Sequence, residues 1–189
     1  MVWLDRSDVV ANERAMRSDA QQNRVHLLEV ARDAFVDSGE ISMTALAKRA
    51  GVGVGTLYRH FPTKEALVLA VYEHEIQLLA DLAPVLLEEN PPLHATRLWF
   101  DRLAYYGRMK YGVAAIMHGA TGEGAEHEAW DLIVGAIGSL LRAGAASGEF
   151  KTDIDPADVL WIVTFLWRIP AGPDAEAQAS RMLEPVLDG

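Results

Sequence analysis

The chain has no cysteine. Disulfides, thiol nucleophiles and thiolate metal sites are therefore excluded, and the composition suits a reducing compartment. It has no uninterrupted apolar run of the roughly 18–20 residues that a membrane span needs; the richest run, Val159 to Ile169, is about half that. The N-terminus lacks a basic start followed by an apolar stretch, so no secretory signal is expected. Sustained two-residue alternation, internal repeats and low-complexity tracts are missing, which argues against strands and repeat architectures. No Gly-x-Ser-x-Gly elbow occurs, which speaks against a serine hydrolase. None of the six histidines follows a glutamate at the i, i+3 spacing of di-iron bundles.

Basic charge is also scarce: 17 Lys and Arg stand against 27 Asp and Glu, for a net charge of −10. The distribution matters more than the total. Residues 40–64 carry Lys48, Arg49, Arg59 and Lys64 against Glu40 alone, a net +3, whereas residues 65–189 are net −11. Salt screens charges beyond about 8–10 Å, so a small basic patch on an acidic body can hold a duplex through one face.

What the chain does have is a 50% apolar composition over 189 residues, enough for one or two compact units with a core. Residues 1–18 are polar and mixed in charge and read as a flexible arm. From Gln21 the pattern is helical, with Leu27, Leu28, Ala31, Ala34 and Phe35 at three- and four-residue steps up to Ser38-Gly39. Ser42 or Thr44 is placed to cap a short second helix, and a third runs from about Gly53 to His60, ended by Pro62. Thr63 starts the next helix, which Pro84 is expected to kink or end. Asn90-Pro91-Pro92 is a break, and further helices are predicted at 93–110, 113–120, 125–147, 156–169 and 174–188. The predicted fold is all-α with about nine helices: a three-helix head over 19–65 and a helical bundle over 66–189.

The stretch from Leu46 to Phe61 carries the functional signal. Two short helices that cross steeply need a small contact residue (Ala47) and a turn residue that tolerates positive φ (Gly51). They also need inward apolar side chains, here Leu46, Ala50, Val52, Leu57 and Phe61. This is a helix-turn-helix, whose second helix enters the major groove. The outward side of that helix comprises Gly53, Val54, Gly55, Thr56, Tyr58, Arg59 and His60. Its glycines let backbone approach DNA, Val54 and Thr56 suit base edges or a thymine methyl, and Arg59 suits guanine or phosphate. Tyr58 and His60 suit phosphate oxygens, and Lys64 stands at the start of the next helix. Gly51-x-Gly53-x-Gly55 is not a dinucleotide fingerprint, since it lacks the preceding strand and the third glycine spacing. His118, Glu123, Glu126 and His127 surround a glycine-rich loop without ligand spacing, so neither a metal nor a cofactor is expected.

The run from Thr44 to Leu67, with Thr56-Leu57-Tyr58-Arg59-His60-Phe61 followed by Lys64-Glu65-Ala66-Leu67, closely resembles the DNA-binding signature of the TetR family. The preceding helix, with Arg24, Leu28, Ala31, Phe35 and Gly39, is similar to that family's first helix, so the close match covers about residues 20–70. The resemblance implies a cytoplasmic, non-enzymatic regulator that binds a double-stranded, palindromic operator and is released by a small hydrophobic effector. It puts DNA contacts on Thr44, on the third-helix residues above and on Lys64. The long arm, with Arg14 and Arg17, departs from the pattern.

In the second domain, large aromatics stand beside Gly135 and Gly138, a composition that can enclose an apolar cavity, and the resemblance strengthens that expectation. The candidate effector-binding residues are Phe100, Leu103, Tyr106, Met117, Trp130, Trp161 and Phe165. The segment Val159–Trp167 is apolar almost all round and needs cover on nearly every side. The resemblance implies that helices near 156–169 and 174–188 form a homodimer seam. The rival reading is a helical-bundle small-molecule-binding protein or enzyme with a structural head, which would need a convergent catalytic group that the body does not offer.

Overall fold

The structure, a computed structural model, describes residues 20–35, 42–112 and 123–164, together with 174, 177, 178, 181 and 182; the side chains of 108–112 and 123–126 are excepted. Among these residues there is no strand, and seven helices are described over their length: α1 over 20–35, α2 Met43–Arg49, α3 Val54–His60, α4 Lys64–Glu89, α5 Pro92–Gly112, α6 Glu123–Ser147 and α7 Pro156–Val163; residues 177, 178, 181 and 182 are helical as well. The arm over 1–18, the helix expected at 113–120 and most of the one expected at 174–188 lie outside the described residues. The chain divides into two compact units, Met1–Leu67 and Val68–Gly189.

The first unit is built on short-range signals. Leu27, Leu28, Ala31 and Phe35 of α1 are buried, at the steps that place them on one helical face. Ser42 caps α2, its hydroxyl accepting from the Ala45 amide at 3.4 Å; Thr44 lies inside the helix. At the other end Ala50 closes α2 and Gly51 takes φ of 70°. The Gly51 amide donates to the Lys48 carbonyl (3.2 Å) and the Val52 amide to the Ala47 carbonyl (2.9 Å). These paired bonds form a Schellman turn, which needs the left-handed conformation that glycine adopts without a Cβ penalty. The turn reverses the chain so that α2 packs on α3, with Leu46, Ala47, Leu57 and Phe61 all but fully buried. The larger of these each contribute about 1.5–3 kcal/mol of burial. Val52 is half-buried rather than core. The Arg24 guanidinium lies 4.7 Å from the Phe61 ring centroid, which fastens α1 to the end of α3.

Of the two outcomes expected at Pro84, a kink or an end, the end does not occur: α4 continues as helix to Glu89. Proline removes one helical hydrogen bond there, but Leu79 and Ala83 are buried and hold the segment in register. Tertiary packing outweighs local propensity. The break at Asn90-Pro91-Pro92 is where the sequence puts it: the Asn90 side chain donates to the Leu86 carbonyl at 3.1 Å and Pro92 opens α5.

In the second unit Val71, Ile76 and Leu79 of α4 are buried, as are Trp99, Phe100 and Leu103 of α5, Ile133, Ile137 and Leu140 of α6, and Leu160 and Val163 of α7. The Trp99 indole donates to the Leu79 carbonyl at 2.8 Å, joining α5 to α4. Glu149, after α6, accepts from the Leu93 amide at 2.8 Å and so caps α5 from 56 residues away. Asp155 caps α7 through the Ala157 amide at 2.8 Å. By length and composition His127–Ser147 of α6 could cross a membrane. Its buried Ile133, Ile137 and Leu140 instead face the core of this unit, while Asp131 and Arg142 are exposed.

Candidate functional site

α3 is seven residues long, so its inward and outward sides are easily separated. Leu57 is fully buried and Phe61 follows one turn later, which leaves Gly55 and Arg59 on the side away from them and Tyr58 at its flank. Val54 is 38% exposed and Tyr58 46%, so an apolar and an aromatic side chain are partly presented to solvent. Gly53, Gly55 and Arg59 are exposed, while Thr56 and His60 are half-buried. Thr44 is exposed in the first turn of α2. Thr63 caps α4, its hydroxyl accepting from the Ala66 amide at 3.1 Å, and this fixes the half-buried Lys64 at the first helical position. All nine residues singled out in the sequence for DNA contact are therefore solvent-accessible within the first unit. Lys48 and Arg49, in the last turn of α2, are exposed as well and extend the basic character of this unit. The charge count over 40–64 already signalled them, although the helix-turn-helix pattern did not single them out.

The candidate effector residues are placed less uniformly. Phe100, Leu103 and Tyr106 are core residues of the second unit. Trp130 is half-buried and its ring lies 5.0 Å from that of Trp161, centroid to centroid, tying α6 to α7. Trp161 is nevertheless 65% exposed and its neighbour Ile162 54%. Met117 and Phe165 lie outside the described residues.

A cleft of about 240 Å³ opens between α4 and α6, lined by Tyr72, Glu73, Ile76, Gln77, Glu128, Ala129 and Leu132. Sequence reasoning missed all seven. Tyr72–Ile76 and Glu73–Gln77 are adjacent four-residue rows on α4, but no local pattern says which helix those rows will face.

Tyr72 also packs against Tyr106, ring centroids 5.8 Å apart. The Tyr106 hydroxyl is buried and, among the described residues, meets no hydrogen-bond partner. Burial pushes its pKa well above the ordinary phenol value, with Tyr72 and then the Glu75 carboxylate adding to the shift. Glu75 is itself only 3% exposed and pairs with Arg102 at 3.1 Å. Among the described residues no group of histidines and carboxylates is arranged to hold a metal.

Residues 27–71 match the family described as bacterial regulatory proteins, tetR family, and residues 91–189 match the C-terminal domain of SbtR-like transcriptional regulators. A crystal structure of a TetR transcriptional regulator from Streptomyces coelicolor superposes with a TM-score of 0.79 at 38% identity, covering 88% of this chain and 97% of that one. The TetR transcription regulatory protein from Mycobacterium vanbaalenii gives 0.74 at 32% identity, covering 91% and 98%. HTH-type transcriptional regulators of Staphylococcus aureus are 42% identical over 65 residues, a match spanning 33% of this chain and 35% of theirs. The fold and the exposed second helix of the turn thus define a helix-turn-helix transcriptional regulator. Within that class, the chain belongs to the TetR family.

Proposed function

We propose that the chain is a repressor that binds a palindromic operator as a homodimer and is released by a small, largely apolar effector. Residues 19–65 serve as the DNA-binding domain and 66–189 as the effector-binding and dimerisation domain, with 1–18 as an arm. The observation that carries the reading is the division of α3: Leu57 and the adjoining Phe61 are buried, while Val54, Tyr58 and Arg59 face solvent. Thr44, Gly53, Val54, Gly55, Thr56, Tyr58, Arg59, His60 and Lys64 make the contacts to DNA. A two-fold dimer presents two such helices about 34–36 Å apart, one turn of duplex. The exposed Trp161 and Ile162 on α7 favour the segment 156–169 as part of the seam.

The effector acts by binding more tightly to one of two dimer arrangements, with α4 carrying the change, since only differential affinity can shift such an equilibrium. It enters the second unit among Phe100, Leu103, Tyr106, Met117, Trp130, Trp161 and Phe165, or through the cleft lined by Tyr72, Ile76 and Leu132. Trp130 and Trp161 report on that event by fluorescence. The protein acts on DNA in the cytoplasm and has no catalytic role.

The test is a salt series of binding measurements on a duplex selected from a random pool. Affinity should fall steeply as salt rises. Lys64→Ala should lower the slope of log affinity against log salt by about 1, and Arg59→Ala should cost about 1–3 kcal/mol. Binding indifferent to salt and to both substitutions rejects the assignment of the face.

A further inference from the structure

Glu75 shows what this fold does with a carboxylate that it buries: only 3% exposed, it pairs with Arg102 at 3.1 Å. Two other carboxylates of the second unit are placed differently. Glu73 on α4 and Glu128 on α6 stand on opposite walls of the cleft between those helices. Both are exposed, and neither has an ion-pair partner among the described residues. Gln77, also in the lining, adds an acceptor, since its amide nitrogen donates to Asp81 at 2.8 Å and its carbonyl oxygen stays available. Among the described residues no lysine, arginine or histidine lines the space. Asp81 and Asp131 follow Gln77 and Glu128 by one helical turn and deepen the negative field.

The rest of the lining is apolar: the Tyr72 ring, Ile76 and Ala129 are buried and Leu132 is half-buried. Tyr72 packs on Tyr106, which is 3% exposed and whose hydroxyl has no hydrogen-bond partner among the described residues. Folds normally satisfy a buried hydroxyl, so this one marks the Tyr72 wall as a place where a partner comes from outside the fold. We propose that the cleft takes an organic cation, a protonated amine or quaternary ammonium on a compact apolar body, and that this is the effector. The proposal rests on the effector-binding reading above and narrows it to one charge class. The two carboxylates attract a cation held between the walls and repel a carboxylate or a phosphate ester. The Tyr72 ring adds a surface that favours cations over neutral groups. At about 240 Å³ the cleft lies just below the roughly 300–1,000 Å³ of drug-sized sites, which favours a single-ring body over a long chain.

The experiment titrates the full chain calorimetrically with probes built on one ring: benzylamine, which is protonated at neutral pH, benzyltrimethylammonium, benzyl alcohol and benzoate. Both cations should bind about tenfold or more tightly than benzyl alcohol, and benzoate should not bind. Cation affinity should fall as salt rises. Glu73→Gln combined with Glu128→Gln, its folding checked by thermal unfolding, should bring the cations to within about twofold of benzyl alcohol. Benzoate or benzyl alcohol binding as tightly as the cations, a cation affinity unmoved by the paired substitution, or no cation binding at millimolar concentration overturns the proposal. Release of a selected operator duplex by the same probes tells the two readings apart. Cations that bind through Glu73 and Glu128 without releasing DNA uphold the charge preference of the cleft and overturn its role as effector site. Release by benzoate or benzyl alcohol, but by neither cation, upholds an effector site and overturns the charge assignment.

Discussion

Three glycines in the one helix α6 test whether packing or helix propensity decides stability in the second unit. Alanine is favoured over glycine in a helix interior by about 0.8–1.0 kcal/mol, and propensity alone predicts that gain at each of Gly135, Gly138 and Gly144. The surroundings predict a graded series instead. At Gly135 an added Cβ meets nothing within 4 Å among the described residues, so the full gain of about 1 kcal/mol should appear. At Gly138 it would lie 3.2 Å from an Arg142 guanidinium nitrogen and 3.4 Å from the Pro156 ring. The arginine tip can yield and the proline distance is an ordinary van der Waals contact, so a gain somewhat below that at Gly135 should remain. At Gly144 the methyl would overlap the Phe150 ring, whose Cγ is 2.7 Å away. That ring cannot simply retreat with its backbone. The Phe150 amide donates to the Gly144 carbonyl at 3.1 Å and the Glu149 amide donates to the same oxygen at 2.8 Å. Overpacking of this kind costs about 1–3 kcal/mol, which exceeds the propensity gain and leaves Gly144→Ala destabilised by about 1 kcal/mol. Each kcal/mol moves the melting midpoint by roughly 2–4 °C in a chain of this size. Calorimetry at one protomer concentration should therefore rank Gly135→Ala above the unsubstituted chain and Gly144→Ala below it. Adding Phe150→Ala should abolish the Gly144→Ala penalty in a double-mutant cycle. A Gly144→Ala variant that melts at or above the unsubstituted protein refutes the packing argument.

Other perturbations read other parts of the structure. Because burial raises the Tyr106 pKa, the folded chain keeps that proton after the unfolded chain has lost it; stability is intact below the unfolded value of about 10 and falls as pH rises above it. Tyr106→Phe removes a buried hydroxyl without a described partner, so chemical denaturation should show neutral-pH stability unchanged or up by about 1 kcal/mol and a flatter alkaline limb. Ile162→Glu, at a position 54% exposed beside Trp161, should convert the dimer to monomer in sedimentation, and a dimer retained at micromolar concentration puts the seam elsewhere. Gly51→Ala forces a Cβ into the left-handed region and should lower the stability of the first unit by about 1 kcal/mol in urea titration.

The first unit was legible in the sequence because its determinants are local. The Gly51 turn, the small Ala47 contact and the spacing of Leu46, Leu57 and Phe61 all lie within 16 residues, and each shows in the structure as a hydrogen bond or a buried side chain. Capping was legible only in part: Ser42 and Thr44 are both competent caps, and only the geometry assigns the role to Ser42. Pro84 shows where local reasoning leaves two outcomes open. Its missing amide is a fact of the residue, but whether the helix survives depends on Leu79 and Ala83 packing against partners distant in sequence. The same limit hid the cleft. Tyr72 and Glu128 are 56 positions apart, and nothing in either helix announces that they line one space. Aromatic richness correctly marked large side chains in the second unit, yet could not distinguish the fully buried Trp99 from the largely exposed Trp161.

That contrast bears on how the two units can change over time. In α3 the fold draws on Leu57 and the adjoining Phe61; the side chains at 54, 58 and 59 face solvent, and Gly55 offers none. On the DNA-binding reading proposed above, a substitution on that outward side alters what meets the duplex at little cost to the core, so operator preference can drift while the head stays folded. The second unit is arranged otherwise. Tyr72 lines the cleft and also packs against the buried Tyr106, so a change that reshapes the cleft there also disturbs the core. Glu73 and Glu128, exposed on its rim, are the positions where cleft chemistry can change without that penalty. If the proposed effector enters through this cleft, selection for altered ligand response should return charge changes at Glu73 and Glu128 before any change at Tyr72. Recovering mainly Tyr72 variants of undiminished stability would show that the cleft and the core are not coupled in this way.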